Sequence, residues 1–331
     1  MKKIALEEAM MPDDYFKIIP EEMFNKEMYL LKAYELDLIE KRLEIMDEVG
    51  LEKTILSVSS PGIQCIKDEK QAIKLAKKWN DYLYQGIKDH PTRLRGFACL
   101  AMSDVNEACK EAKRCIEELG FVGIMINDFT STTNGKNIYY DDPKYLKFWK
   151  TIESLNVPVY MHPRGYHITN SNSDFYLKYP EMTVSAWGFH VQIAEHLLRL
   201  ILSGLFDKCP KLQIIAGHMG EMLPFWVRRM DHRLNYAAKS WHYDVDVKRS
   251  PRAYTVEHYL KNNFYITTSG FFDTPALMHN IEIMGIDRIC FSIDYPYENS
   301  RFAVDWLEKL DLSSEKINKI AYENAKRLLR I

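Results

Sequence analysis

The sequence predicts an α/β fold, a TIM-type (β/α)8 barrel with long strand-end loops, and three observations lead there. Short β-rich runs recur eight times along the 331 residues. Stretches of helical period lie between them, and alternation of this kind implies parallel pairing with crossovers. Four of the runs deliver Glu, His or Asp at their ends, and in a closed barrel the strand ends converge on one rim.

The first run, Lys3 to Leu6, passes directly into Glu7-Glu8-Ala9. The others are Lys53 to Val58, Leu94 to Leu100, Val122 to Ile126, Val157 to Met161, Leu212 to Ala216, Phe264 to Thr268 and Arg288 to Phe291. Helical period is read over Leu38 to Val49, Glu69 to Lys88, Val105 to Leu119, Tyr145 to Leu155, Val191 to Leu202 and Pro275 to Met284. A last helix, Ser314 to Leu329, opens on Ser313-Ser314-Glu315-Lys316 as cap candidates and closes with Lys326 and Arg327 near its negative pole. The rival architecture is an open doubly wound sheet. For a dinucleotide it would want a Gly-x-Gly-x-x-Gly turn, and no such turn occurs.

Three stretches exceed ordinary connections: 10 to 37, 163 to 190 and 236 to 256. They carry Tyr15, Phe16, Phe24, Phe175, Tyr176, Tyr179, Trp187, Phe189, Trp241 and Tyr243, which suits a pocket roof or a subunit interface. With no repeat, low-complexity tract or linker, residues 1–331 read as a single domain.

Composition fits a globular protein with a sizeable core, at 47% hydrophobic and 27% charged residues with a formal charge of -2. Neither nucleic acid nor a membrane surface is expected as a partner. The apolar runs are strand-length and the N-terminus turns acidic at Glu7, so neither a signal peptide nor a spanning helix is expected, and the expected location is cytoplasmic. Cys65, Cys99, Cys109, Cys115, Cys209 and Cys290 lack metal or disulfide spacing and read as buried thiols of a reducing compartment.

The chemistry gathers at the strand ends. Period two puts Glu7 and Ala9 on one face and turns Glu8 away, so Glu7 is the ligand candidate. Taken alone it reads rather as an ordinary solvated carboxylate, and its weight as a ligand comes from the company of the residues below. His162 ends Val-Pro-Val-Tyr-Met-His, where the plain alternative is a core histidine bonded to a carbonyl. Asp294 ends Ile-Cys-Phe-Ser-Ile-Asp, and a carboxylate buried there without a partner would be heavily penalised. Together Glu7, His162 and Asp294 offer two oxygens and an imidazole nitrogen, a set suited to Zn²⁺ or Mn²⁺ with open positions left over.

His218 follows the sixth run in Ala-Gly-His218-Met-Gly-Glu221, where flanking glycines allow close backbone turning. Glu221 is placed to hold that imidazole as an acid/base pair. The alternative is a helix start with Glu221 complementing the dipole. Arg229, in the Arg228-Arg229-Met-Asp231-His232-Arg233 run, is either an anion clamp or part of a solvated helix face. Asn127, ending the fourth run, is either a substrate hydrogen-bond partner or a turn residue.

These strings, with Arg-Leu-Glu-Ile-Met-Asp-Glu-Val-Gly from 42, Ser-Val-Ser-Ser-Pro-Gly-Ile-Gln ending at 64, Asp-Asp-Pro at 141 to 143 and Ser-Ile-Asp294-Tyr-Pro-Tyr-Glu, resemble the metal-dependent aromatic acid decarboxylases of the amidohydrolase superfamily. That group includes the γ-resorcylate, 2,3-dihydroxybenzoate and salicylate decarboxylases. The resemblance spans nearly the whole chain. It implies an amidohydrolase-like barrel holding one divalent metal ion, Zn²⁺ or Mn²⁺ with Mg²⁺ as a third candidate, on Glu7, His162 and Asp294. It implies Asp294, His218 and Glu221 as catalytic residues, and Arg229 with Asn127 toward substrate, the arginine working with a neighbouring subunit's loops.

The implied partner is a small aromatic carboxylic acid, and the implied assembly is a homodimer or homotetramer. Ala9 stands where many superfamily members carry a second metal-ligating histidine, and no lysine ends the fourth run to bridge two metals, which argues against a two-metal hydrolase. The expected reaction is non-oxidative decarboxylation of an ortho-hydroxybenzoate. The alternatives are a metal-dependent hydrolase of a lactone, amide or C–C bond, and a catalytically silent binding barrel.

Overall fold

The computed structural model describes residues 1–24, 26–164, 174–240 and 252–331, apart from the side chains of 236–240. Eight strands form one parallel sheet in sequence order: β1 (Ile4–Met10), β2 (Lys53–Val58), β3 (Leu94–Cys99), β4 (Gly123–Asn127), β5 (Val159–His162), β6 (Ile214–Ala216), β7 (Phe264–Thr267) and β8 (Ile289–Cys290). Every predicted run falls on one of them. Helices follow the strands, their N-termini capped where the sequence offers short acids. Asp68 accepts from the Gln71 N–H, and Asp104 accepts from the Asn106 and Glu107 N–H groups.

The seam between β1 and the chain leaving β8 closes the barrel. β1 shifts register against β2 between Ala5 and Glu8, a bulge that turns the consecutive Leu6 and Glu7 amides toward one acceptor. That acceptor is Ser292 Oγ, at 3.1 Å from Leu6 N and 2.7 Å from Glu7 N. Beyond it, Asp294 N donates to Glu7 O at 3.1 Å and Ala9 N to Tyr295 O at 2.8 Å. The seam therefore fixes Glu7 and Asp294 side by side.

Inside the barrel, Ile4, Leu6, Ile55, Phe97, Met125, Tyr160, Ile215, Tyr265 and Cys290 pack together, joined by Ala325, Leu328 and Leu329 of the last helix. A larger apolar layer lies between sheet and helices, with Trp79, Phe148 and Trp149 wholly buried in it. All six cysteines are buried and unpaired.

The last predicted helix is interrupted by a π turn at Lys319–Glu323, between α segments Ser314–Asn318 and Asn324–Leu329. There the Ile320 carbonyl accepts from Phe291 N at 2.8 Å, which ties the helix to the strand it covers. The first long stretch contains an unpredicted helix, Lys26–Leu36, of which only Met28 and Glu35 are buried. It therefore carries no apolar stripe to read. Another unpredicted helix, Ser300–Glu308, follows β8. Trp241 and Tyr243 lie outside the described residues, whereas Phe175, Tyr179 and Trp187 are exposed.

Candidate active site

A cavity of about 310 Å³ opens at the strand ends, and Glu7, Ala9, Asn127, His162, His190, His218 and Asp294 are among the residues that line it. At its floor Glu7 Oε1 lies 3.0 Å from His162 Nε2 and 3.4 Å from His218 Nε2, and His218 Nε2 lies 3.6 Å from Asp294 Oδ2. Glu7 Oε1 is buried without an aligned hydrogen-bond partner. Each histidine has its other nitrogen engaged: His162 Nδ1 with Pro163 O at 2.5 Å, His218 Nδ1 with Glu221 Oε1 at 2.6 Å. Both rings thus present Nε2 to the same point, which is how outer partners orient metal-binding imidazoles.

Glu7, His162 and His218 bring three ligand atoms within 4.8 Å of one another. Asp294 Oδ2 stands beside this trio, so the expected Glu7, His162, Asp294 set is gathered with His218 among it. Donor chemistry and the stranded Glu7 oxygen both fit a divalent ion.

Two glycines make the approach possible. A Cβ on Gly217 would sit 2.8 Å from Tyr160 Oη and 3.0 Å from Glu7 Oε2, and one on Gly270, where φ is +59°, would sit 3.2 Å from Asp294 Oδ2. The turn between them in space, after β6, is wound left-handed at His218, Met219, Glu221 and Met222, with φ of 45°, 58°, 52° and 65°. Such strain is a common mark of functional turns.

Electrostatics follow from burial and pairing. Burial opposes charge on Glu7, yet His218 and His162 hold it down to about 2. Glu221, equally buried, is held at about 2 by His218 and His190. Burial also works against the His218 cation, but Glu221 and Glu7 raise that imidazole well above its ordinary value. Asp294 moves upward, driven by burial and then by the Glu7 charge. Glu8 points away from the cavity as expected, but it is buried, and desolvation pushes it up to about 8 against the pull of Arg42.

Asn127 pairs in register with His162, which puts it in the cavity wall with both side-chain amide atoms buried and unpartnered. Arg229 is not brought into the cavity of its own chain. Leu223, Val227 and Asp231 form the buried stripe of helix Leu223–Ser240, and Arg229 lies off that stripe, exposed and outside the cavity lining. Among the described residues the guanidinium that lines the cavity is Arg164, whose Nη1 donates to Gln64 O and Phe129 O at 2.8 Å each and whose Nη2 donates to Ser131 Oγ at 2.7 Å.

Two residues escaped the sequence reading. Tyr160, on the same face of β5 as His162 by period two, donates to Glu7 Oε2 and lies 2.8 Å from Thr267 Oγ1. His190 Nδ1 donates to Glu221 Oε2 at 2.7 Å. It sits where a long connection was expected to end and carried no local pattern of its own.

An eight-stranded barrel with a Glu, His and Asp cluster at its strand ends defines a metal-dependent amidohydrolase-type site. Residues 40–331 match the amidohydrolase family, and the chain belongs to that family. It is 39% identical over 330 residues to the γ-resorcylate decarboxylase of Polaromonas sp., covering 99% of this chain and 98% of that protein. The solved structure of 2,6-dihydroxybenzoate decarboxylase from Rhizobium superposes with a TM-score of 0.91 at 38% identity, covering 100% of this chain and 99% of that one. The Polaromonas dihydroxybenzoic acid decarboxylase, solved with manganese and the inhibitor 2-nitroresorcinol, gives 0.88 at 39% identity over 99% and 97%.

Proposed function

We propose that this chain is a metal-dependent carboxy-lyase that removes the carboxyl group of an ortho-hydroxybenzoate without oxidation. One observation carries the reading: the buried Glu7 Oε1, without an aligned donor, faces the Nε2 atoms of His162 and His218 at the floor of the cavity. At about 310 Å³ the cavity matches the small end of ligand pockets, the scale of one substituted ring. Relatives named for hydroxybenzoate decarboxylation match over essentially their whole length, which supports the same reaction class here.

In this reading Glu7, His162 and Asp294 hold one divalent ion, with Mn²⁺ and Zn²⁺ both suited to the donors and Mg²⁺ less so. When bound, the ion supplies a positive centre for the substrate carboxylate and its neighbouring phenol oxygen. Asn127 offers its unpaired amide to the ring substituents. His218, backed by Glu221, carries a proton, and Asp294 Oδ2, 3.6 Å from His218 Nε2, passes it to the ring carbon bearing the carboxyl group. A ring π pair forms the new C–H bond; the C–C bond then breaks, its electron pair returns to the ring π system as CO₂ departs, and the ring regains aromaticity.

A homodimer or homotetramer in the cytoplasm completes the proposal. Phe225, Trp226, Met278 and Phe302 are exposed apolar side chains suited to a subunit contact, and six unpaired cysteines suit a reducing compartment. No helix of the described residues is long and apolar enough to cross a membrane.

The test is incubation of Mn²⁺- and Zn²⁺-loaded protein with 2,6-dihydroxybenzoate, 2,3-dihydroxybenzoate, salicylate and 5-carboxyvanillate, followed by chromatography and CO₂ detection. Phenolic product with stoichiometric CO₂, abolished by chelator, is expected. Metal-dependent hydrolysis of lactones or amides with no CO₂ from the panel would replace this reading with the hydrolase one.

A further inference from the structure

We propose that His190 is a positioning residue of this site, the second imidazole on Glu221, and that it governs how firmly Glu221 holds His218. The inference rests on reading His218 as the proton-transfer group.

Glu221 is fully buried. Each of its oxygens has one imidazole donor, with His218 Nδ1 2.6 Å from Oε1 and His190 Nδ1 2.7 Å from Oε2. The two rings stand 5.8 Å apart at 78°. A buried carboxylate oxygen deprived of its donor carries a desolvation penalty, so losing His190 forces Glu221 to rotate or to admit water. Either response alters the bond that orients His218.

The two histidines come from different elements. His218 and Glu221 belong to the strained turn after β6, whereas His190 lies in the first turn of helix Gly188–Leu202, behind the long connection that follows β5. Glu221 therefore ties the first turn of that helix to the turn after β6. His190 also lines the cavity, and its side chain is 20% exposed. His190 and His218 thus both face the cavity while Glu221 joins them from behind.

A mere tether for the helix would tolerate any side chain that fills the space, and this separates the two roles. His190→Phe keeps ring volume without an N–H, whereas His190→Asn restores a donor near Nδ1. For His190→Phe on the best hydroxybenzoate, kcat is expected to fall about 10- to 100-fold, the usual effect of losing an outer partner, with KM within about twofold. Manganese content should stay near that of the unaltered protein while the thermal midpoint falls modestly from the unpaired Glu221 oxygen, and His190→Asn should recover most of kcat and of the midpoint.

In metal-free protein labelled with ¹⁵N-histidine, the His218 ring resonances should move in His190→Phe and stay in His190→Asn. Unmoved His218 resonances in His190→Phe, or an Asn variant as impaired as Phe, would overturn the proposal. Should His190→Phe not fold, His190→Ala carries the same expectation. If the unaltered protein decarboxylates nothing on the panel, the functional reading fails alone, because the resonances still decide the role of His190.

Discussion

Two histidine–carboxylate pairs of this chain share one contact distance in different surroundings. His218 Nδ1 meets Glu221 Oε1 at 2.6 Å, and His196 Nδ1 meets Asp128 Oδ1 at 2.6 Å. In the second pair, His196 Nε2 accepts from the Tyr140 N–H at 3.1 Å, the ring packs against Tyr139 and Tyr140, and both partners are fully buried. In the first, Nε2 faces Glu7, Asp294 and the cavity. What separates a reactive histidine from a structural one is thus the fate of the second nitrogen, since a carboxylate on the first is common to both.

The sharpest way to break the comparison is to delete each imidazole. His218→Asn should lower kcat by about 10²- to 10⁴-fold, the range of a lost general acid or base, while metal content and urea midpoint stay close to normal. His162→Ala should lose metal and turnover together. Full activity in His218→Asn would remove the proton-transfer assignment. His196→Ala should do the reverse, lowering stability by about 3–5 kcal/mol because Asp128 is stranded in the core, while the folded fraction keeps its kcat. Urea titration paired with active-site metal counting separates the two outcomes.

How much of this contrast was legible follows from the same residues. Glu7, His162, His218 and Asp294 were readable because each ends an apolar run, and a barrel brings such ends together whatever their separation in sequence. The seam was not readable: a bulge in β1 and the hydroxyl of Ser292 replace ladder bonds there, and a single serine carries no pattern. Tyr160 was reachable from its period-two relation to His162, but His190 was not. Its role exists only because helix Gly188–Leu202 brings its first turn against a loop 28 positions away in sequence from His190 to His218. Arg229 stands outside its own chain's cavity for a related reason: a basic cluster does not say which face of its helix is turned inward, and the role the resemblance implies for it lies across a subunit boundary.

A third buried carboxylate, Glu35, sharpens the comparison because the donor on it is a phenol. Tyr297 Oη donates to Glu35 Oε1 at 2.9 Å, Oε2 has no partner, and burial pushes the acid up to about 7 from 4.5. Below pH 4.5 the group is protonated in both folded and unfolded chains. As pH rises from about 4.5 the unfolded chain releases its proton while the buried acid keeps its own, so stability is progressively lost until the folded group also ionises near 7. Relative to the unaltered protein, Glu35→Gln should therefore be nearly equal in stability at pH 4.5 and more stable by about 2–3 kcal/mol at pH 8. Chemical denaturation at both pH values measures it, and a difference independent of pH would refute the sign.

Arg229→Ala is expected to have the smallest effect. Within one chain Arg229 is exposed and absent from the cavity, whereas Arg164 lines it with a guanidinium fixed by three oxygen acceptors. The substitution should change kcat/KM by less than about threefold, in line with a solvated charge on a helix face. A tenfold rise in KM, lost when the protein is diluted to monomers, would place Arg229 in a neighbouring subunit's cavity. The site would then be a property of the assembly, and the contrast between its two histidine pairs would extend to the charges around them: one pair sealed within a single chain, the other completed from outside it.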